Sequence, residues 1–236
     1  MKNDASKDAV KALKEGQVIC LYDYDNRERE TDLVFAAEFV TPQLVYQLRR
    51  DAGGLMCVAI DPVACDRLGI PYIADVLKYV GNSGNGFGAI ESLYEKTGDI
   101  PYDTKSSFSL WVNHRKVYTG ITDVDRALTI KELANITTSA LNGNQVPFGS
   151  QFRSPGHVPL LRCAPGLLKD RRGQTELSIV LARAANVTPA MVMCEMLDGS
   201  TGKALTKDDA MQYAKKHGLA FIEGKEVEAI FGSMKN

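Results

Sequence analysis

Short apolar runs alternate with amphipathic segments along the whole chain, and this alternation is the feature that most constrains its fold. Apolar runs of strand length lie at 18–22, 33–37, 55–60 and 191–196. Between them, segments with one apolar side begin at capping residues such as Thr41, followed by Pro42, which is typical of helix N-termini. Alternating strands and helices favour one α/β domain with helices packed on the faces of a sheet.

The same patterns give approximate bounds for each element. We predict strands at 17–22, 33–38, 55–60, 107–113, 191–196 and 219–222, and helices at 4–13, 41–53, 61–69, 122–133, 174–185, 206–217 and 225–231. The glycine-rich residues 81–88 are predicted to form a surface loop, because they lack the Lys-Ser/Thr ending of a phosphate-binding P-loop. Residues 142–151 are polar and contain glycine and proline, so we expect a connector there.

Composition excludes several classes of function. The chain has 236 residues, a net charge of −1 and a pI of about 6.3, so it offers no basic field for nucleic acid or anionic membrane. We find no apolar run near the roughly 20 residues that cross a bilayer, and no signal-peptide core at the N-terminus. The five cysteines form no CxxC pair, so we expect reduced thiols in a cytoplasmic protein rather than disulfides or zinc.

One acidic loop, residues 23–32, lies between the first two predicted strands. It contains five carboxylates and two guanidinium groups within ten residues. Such crowding is typical of a site where oxygen ligands hold a divalent metal, or of an acid/base set whose members shift each other's pKa. A solvated turn that neutralises its own charge is the third interpretation.

Four further segments carry candidate binding groups. Gly53 and Gly54 allow close approach of a ligand or simply end a helix. Thr122 begins a helix, where it is an anion-binding residue or a plain N-cap. His157 follows Pro-Gly and is therefore predicted to lie on a tight turn. Residues 170–176 place two arginines and a glycine before a helix, as in a phosphate site or a basic surface turn.

Glu195 ends an apolar strand-like run and is a candidate for catalysis. A lone carboxylate in such a strand costs free energy unless it is paired or used in a protonated form. Its position at the strand end favours a functional role over a structural ion pair.

These segments together resemble one enzyme family. The resemblance rests on six ordered motifs: DNRERETDLVFAAE at 25–38, GLMCVA at 54–59, TGITDVDR at 119–126, FRSPGH at 152–157, RRGQTE at 171–176, and Cys194-Glu195. They resemble 3,4-dihydroxy-2-butanone 4-phosphate synthase, the enzyme that supplies the four-carbon unit for riboflavin. The segments at 51–54, 102–108 and 113–115 are similar to archaeal, stand-alone members.

The resemblance implies a fold, a reaction and partners. The fold would be a single three-layer α/β domain with a mixed sheet over residues 1–236. The protein would be a cytoplasmic homodimer with active sites close to the interface. It would use Mg²⁺ or Mn²⁺, two ions per site, to convert ribulose 5-phosphate to 3,4-dihydroxy-2-butanone 4-phosphate and formate through a metal-stabilised enediolate.

The resemblance also implies roles for individual residues. The expected metal ligands are Glu28 and Gln174, and the expected catalytic residues are His157, Glu195, Glu30 and Asp32. Substrate-binding positions are Arg27, Glu28, Asp32, Cys57, Thr122, Arg171, Arg172, Gly173, Gln174 and Thr175.

Gln174 departs from the family motif, which has histidine at this position. A glutamine carbonyl oxygen is an acceptable ligand for a hard cation, but it is neutral and carries no proton. The substitution motivates an alternative hypothesis, a catalytically impaired protein that binds sugar phosphates without turnover.

Overall fold

A mixed sheet of seven strands organises the protein in the computed structural model, which describes residues 5–84 and 87–234. Within these ranges the strands are β1 (Ile19–Tyr22), β2 (Thr31–Ala36), β3 (Cys57–Ile60), β4 (Phe108–His114), β5 (Phe152–Arg162), β6 (Ala190–Glu195), β7 (Leu197–Asp198), β8 (Lys203–Ala204) and β9 (Ala220–Glu223). The large sheet has the order β4-β5-β3-β6-β2-β1-β9, and β7 pairs with β8 in a separate ribbon. Parallel pairs (β1 with β9, β3 with β5) and antiparallel pairs both occur.

Helices cover both faces of this sheet. They are α1 (Ala5–Lys14), α2 (Pro42–Asp51), α3 (Pro62–Leu68), α4 (Ile73–Gly81), α5 (Gly88–Leu93), α6 (Asp123–Leu141), α7 (Phe148–Gln151), α8 (Gln174–Ala185), α9 (Lys207–His217) and α10 (Gly224–Ser233). Buried side chains of α2, α3, α6 and α9 form the core on one face, and those of α1, α8 and α10 form the core on the other. The three-layer α/β fold with a mixed sheet is therefore confirmed.

The side chains of a single strand divide between the two cores. In β2, Leu33 and Phe35 face the core beneath α2 and α6, whereas Val34 and Ala36 face the core beneath α1 and α8. All four are fully buried. A strand that is covered on both faces has apolar residues at consecutive positions, without alternation of apolar and polar residues. This explains the apolar runs in the sequence.

Capping residues begin several helices where the sequence predicted them. The Thr41 hydroxyl accepts from the Leu44 amide, and the Thr122 hydroxyl accepts from the Asp125 amide. Asp61 does more than cap α3, because its buried carboxylate also receives the Arg183 guanidinium at 2.6 Å. That ion pair connects the start of α3 to the end of α8.

The prediction of a tight turn at His157 was wrong, because residues 152–162 form the long strand β5. Proline and glycine there resemble turn signals, yet Gly156 serves a different purpose. A Cβ atom at Gly156 would overlap the backbone of Val112 in β4. The glycine therefore permits close contact of two strands, a need that local sequence does not reveal.

Other bounds also differ from the prediction. The segment expected as a loop at 81–88 includes the end of α4 and the start of α5, and residues 85–86 lie outside the described residues. Helix α6 continues to Leu141, past the predicted end at 133, and the strand predicted at 33–38 is replaced from Ala37 by a 3₁₀ turn. None of the helices among the described residues is long and apolar enough to cross a membrane.

Candidate active site

The strand ends along one edge of the sheet bring the acidic loop and Glu195 together. Asp32, near the start of β2, pairs in register with Glu195 at the end of the antiparallel strand β6. Cys57 begins β3 on the other side of β6. These residues line a cavity of about 110 Å³, which the first turn of α8 also borders through Gln174 and Thr175.

Asp23 folds the acidic loop. Its carboxylate is buried and accepts the backbone amides of Glu28 at 2.9 Å and Glu30 at 3.1 Å. The Asp25 carboxylate accepts the Tyr22 hydroxyl at 2.8 Å. Two of the five carboxylates, Asp23 and Asp25, therefore shape the loop and do not line the cavity.

Glu28 and Asp32 line the cavity, and burial raises the pKa of three carboxyl groups in and around it. Burial, followed by the charges of Glu28 and Glu195, raises the pKa of Glu30 to about 7. Burial and the neighbouring Glu195 raise the pKa of Asp32 well above its usual range. Burial also raises the pKa of Glu195, although its Oε2 accepts the Leu55 amide at 2.7 Å. Closely spaced carboxyls of this kind can hold and transfer protons near neutral pH.

The Gln174 side chain is held in one orientation. Its amide nitrogen donates to the carbonyl oxygens of Leu21 at 3.1 Å and Glu30 at 3.0 Å. Its Oε1 is buried and has no hydrogen-bond partner among the described residues, and the same holds for Asp32 Oδ1. Both residues and Glu28 line the cavity. A buried, unpaired carbonyl oxygen beside a carboxylate fits a hard cation, which selects oxygen ligands.

The cavity does not contain a complete metal cage by itself. Within residues 5–84 and 87–234, no three His, Cys, Asp or Glu side chains cluster to hold a metal. Mg²⁺ usually takes only one or two carboxylates, with water and substrate oxygens completing its coordination. The Glu28 carboxylate and the Gln174 carbonyl oxygen would be enough protein ligands for such an ion.

Two guanidinium groups form the other end of the site. Arg27 contacts the carboxylates of Glu28 at 2.7 Å and Asp103 at 2.6 Å. Arg171 contacts Asp103 at 2.8 Å and Glu176 at 2.7 Å. Burial alone would lower the pKa of Arg27, but the surrounding carboxylates raise it, so the side chain stays charged.

The sequence reasoning did not identify several residues of this end of the site. Glu176 is fully buried and fixes Arg171, while Ile100, Tyr102, Asp103 and Ser107 line the cavity. The signal for Tyr102, Asp103 and Ser107 lay in segment 102–108, which was noted for its resemblance to archaeal members and not for its chemistry.

Comparison with known proteins decides the family. The family model described as 3,4-dihydroxy-2-butanone 4-phosphate synthase matches residues 7–230. The chain belongs to this family. A synthase of that name from Methanosarcina mazei is 53% identical over 225 residues, which cover 95% of this chain and 90% of the relative. One from Archaeoglobus fulgidus is 48% identical over 221 residues, which cover 94% of this chain and 91% of the relative.

Solved structures of the synthase agree with this assignment. A crystal structure of 3,4-dihydroxy-2-butanone 4-phosphate synthase in complex with two magnesium ions superposes with a TM-score of 0.75 at 27% identity, covering 97% of this chain and 96% of the other. The predicted function is confirmed: synthases of this family are lyases that make 3,4-dihydroxy-2-butanone 4-phosphate from ribulose 5-phosphate for riboflavin biosynthesis. The comparisons give no support to the impaired binding protein.

The structure brings many of the synthase's predicted site residues together. The cavity is lined by Glu28, Asp32, Cys57, Arg171, Gln174, Thr175 and Glu195. Arg27 lies against Glu28, and Glu30 is close enough to Glu28 and Glu195 for their charges to raise its pKa. Gly173 lies beneath both arginines, since a Cβ atom there would overlap Arg171 and lie 2.9 Å from Arg27 Nη2.

Besides Arg27, Glu30 and Gly173, three more predicted residues are not among those that line this cavity. Arg172 stacks on the Tyr24 ring at 4.6 Å and approaches Glu228 at 3.4 Å. Thr122 caps α6. His157 is exposed on β5, where its backbone amide donates to Asn113 Oδ1 at 2.8 Å.

Proposed function

We propose that this chain performs the synthase reaction as a homodimer that uses Mg²⁺ or Mn²⁺, with two ions per site. The reaction divides the five carbons of ribulose 5-phosphate between formate and 3,4-dihydroxy-2-butanone 4-phosphate. The observation that carries the proposal is the buried Oε1 of Gln174, which has no hydrogen-bond partner in the described part of the chain. Gln174 lines one cavity together with Glu28, other acidic groups and Arg171.

Glu28 and Gln174 are the residues that would hold the metal. The magnesium complex of a structural neighbour supports a divalent cation and a pair of ions. When bound, such a cation stabilises negative charge that develops on adjacent substrate oxygens. The hydrogen bonds from the Gln174 amide nitrogen direct Oε1 away from the backbone carbonyls, so the residue offers an oxygen where the family motif has a histidine nitrogen.

Asp32 and Glu195 form the acid/base pair in this proposal. They are directly paired in the sheet, and repulsion between the buried Asp32 carboxylate and the half-buried Glu195 carboxylate favours one shared proton. Asp32 Oδ1 is the oxygen that holds the proton, because it is buried without a partner among the described residues. Glu195 is the base, because the Leu55 amide stabilises charge on its Oε2. Glu30 is a third proton carrier at the rim.

The homodimer proposal accounts for Thr122 and His157. His157 is linked through Asn113 to the turn at 119–120 that precedes Thr122. Next to this turn lie exposed apolar side chains: Tyr118 is 93% exposed, Val124 66% and Ile121 52%. Exposed apolar groups around functional residues are typical of an interface. We propose that His157 of the partner subunit completes each cavity.

The proposal extends to location and domain structure. A cytoplasmic protein is supported by five buried cysteines, all free, since such thiols persist in a reducing compartment. One domain over residues 1–236 is supported by the single large sheet, whose strands come from both ends of the described chain.

Formate release tests the function. Proton NMR of purified protein with ribulose 5-phosphate and excess Mg²⁺ should show a formate signal that disappears with a chelator and returns with Mg²⁺ or Mn²⁺. Protein saturated with metal that binds the substrate without releasing formate would overturn the proposal and favour the impaired form.

A further inference from the structure

Asp103 occupies a position that the site's cationic groups would otherwise offer to an anionic ligand. One oxygen of this residue, Oδ2, contacts both Arg27 Nη2 at 2.6 Å and Arg171 Nε at 2.8 Å. The Asp103 side chain is only 7% exposed. Two guanidinium groups that converge on a single oxygen resemble the way in which arginines hold a phosphate oxygen.

The two arginines keep their orientation without Asp103. Arg27 also contacts Asp23 at 3.4 Å and Glu28 at 2.7 Å, and Arg171 also contacts Glu176 at 2.7 Å. Both guanidinium groups lie over Gly173, which has no side chain to displace them. If the Asp103 carboxylate moved away, Arg27 Nη2 and Arg171 Nε would be open to another anionic oxygen at the wall of the cavity.

Asp103 lies in the connection between α5 and β4. Residues 94–107 contain no regular helix or strand. The end of this segment is fixed, because Lys105 pairs with Asp75 at 2.8 Å and the Ser107 hydroxyl hydrogen-bonds that of Thr175 at 3.0 Å. Its middle part is held by the contacts of Asp103 and by Tyr102, whose ring lies 5.4 Å from the Arg27 guanidinium carbon.

We propose that Asp103 is a positioning residue that acts as an internal substitute for the substrate's phosphate. In the free enzyme its carboxylate accepts from both Arg27 and Arg171, at the position that a phosphate oxygen would take. The phosphomonoester displaces it, because a phosphate carries a charge of about −1.5 to −2 and three strong acceptor oxygens. Segment 99–104 then leaves the cavity. This inference rests on the proposed function and on the substrate-binding roles that the family resemblance implies for Arg27 and Arg171.

Internal competition has a measurable consequence. If Asp103 occupies the phosphate position in a fraction of the molecules, only the remaining, open fraction can bind the ligand. The apparent dissociation constant then equals the intrinsic one divided by the open fraction. A substitution that removes the charge of Asp103 and keeps its shape should therefore strengthen phosphate binding. A residue that only supported the arginines would have the opposite effect.

The test compares Asp103→Asn and Asp103→Ser with Asp99→Asn, a control that removes one carboxylate from an exposed position of the same segment. Calorimetric titration with inorganic phosphate measures binding, and circular dichroism verifies folding. We expect phosphate to bind at least fivefold more tightly to both Asp103 variants and unchanged to the control. The KM for ribulose 5-phosphate should fall with it, while kcat stays equal or decreases.

Unchanged or weaker phosphate binding in a folded Asp103 variant would overturn the proposal, since Asp103 would then be a structural partner of the arginines. The outcome is independent of turnover. Tighter phosphate binding without formate release from wild-type protein would support the substitute role and contradict the proposed function instead.

Discussion

Gln174 shows how much the role of one residue depends on the orientation of its amide. With its nitrogen bonded to two backbone carbonyls, the side chain has only its oxygen left to bind a ligand, and among the described residues this oxygen has no hydrogen-bond partner. A carboxamide oxygen is a hard ligand, so the neutral residue can retain cation binding where a histidine would use nitrogen. What glutamine cannot do is donate or accept a proton during turnover.

Gln174→Leu therefore should weaken Mg²⁺ binding. The substitution removes the ligand oxygen at nearly constant volume, and we expect at least a tenfold loss of affinity, similar to other losses around metal sites. Calorimetry with Mg²⁺, or electron paramagnetic resonance with Mn²⁺, measures it. Gln212→Leu on the exposed side of α9 is the matched control. Equal Mg²⁺ affinity in Gln174→Leu and wild type would exclude the amide as a ligand.

At the scale of elements, the site depends on the junction between the end of α2 and the start of β3. The Gly54 amide donates to the Glu195 carbonyl at 3.0 Å, and the Leu55 amide donates to the Glu195 carboxylate. The backbone that follows α2 therefore hydrogen-bonds both the main-chain carbonyl and the side-chain carboxylate of Glu195. This contact requires residue 54 to have no side chain.

Gly54→Ala is expected to impair catalysis without unfolding the sheet. The added Cβ atom would overlap Glu195 Oε2 and lie 2.7 Å from the Glu195 carbonyl oxygen, so the carboxylate must move. A displacement of about 1 Å at a catalytic group costs roughly 100-fold, and we expect kcat/KM to fall by about that factor. Gly199→Ala, where a Cβ atom meets nothing within 4 Å, is the control. Wild-type kcat/KM in folded Gly54→Ala would contradict this account.

In the whole molecule, the question is whether the His157 and the Glu195 of one active site come from different chains of a dimer. If His157 of the partner subunit completes each cavity, His157→Ala and Glu195→Gln disable the same site from different chains. A dimer containing one chain of each variant then keeps one intact site. Random pairing in an equal mixture makes about half of the dimers mixed, and each mixed dimer has one intact site out of two. The mixture should therefore recover about one quarter of wild-type formate release.

The controls are each variant refolded alone, both of which should be inactive. Light scattering should give a mass near twice the 25.8 kDa of one chain. Failure to recover activity in a mixture that has demonstrably exchanged subunits would show that each chain supplies its own His157, or that the two residues do not share a site.

Local sequence patterns predicted most of the helices and strands, and the motifs indicated the enzyme family. Capping residues predicted the starts of α2, α3, α6 and α9 correctly, because a cap is a local hydrogen bond between a side chain and the next turn. Apolar runs predicted the central strands, because burial on both faces requires them. The motif with Arg27, Glu28 and Asp32 indicated the family, which the comparisons confirm.

Which charged residues share a site depends on how the elements pack, and local sequence does not predict it. Asp32 and Glu195 are far apart in the chain, and sheet register alone makes them neighbours. Asp103 reaches Arg27 across 76 positions, and no local pattern predicts that contact. Strand β5 was missed for the same reason, since its proline and glycine are turn signals until β4 lies beside them. Local rules fix backbone conformation, whereas the charge environment of a carboxylate is set by the elements that packing brings around it.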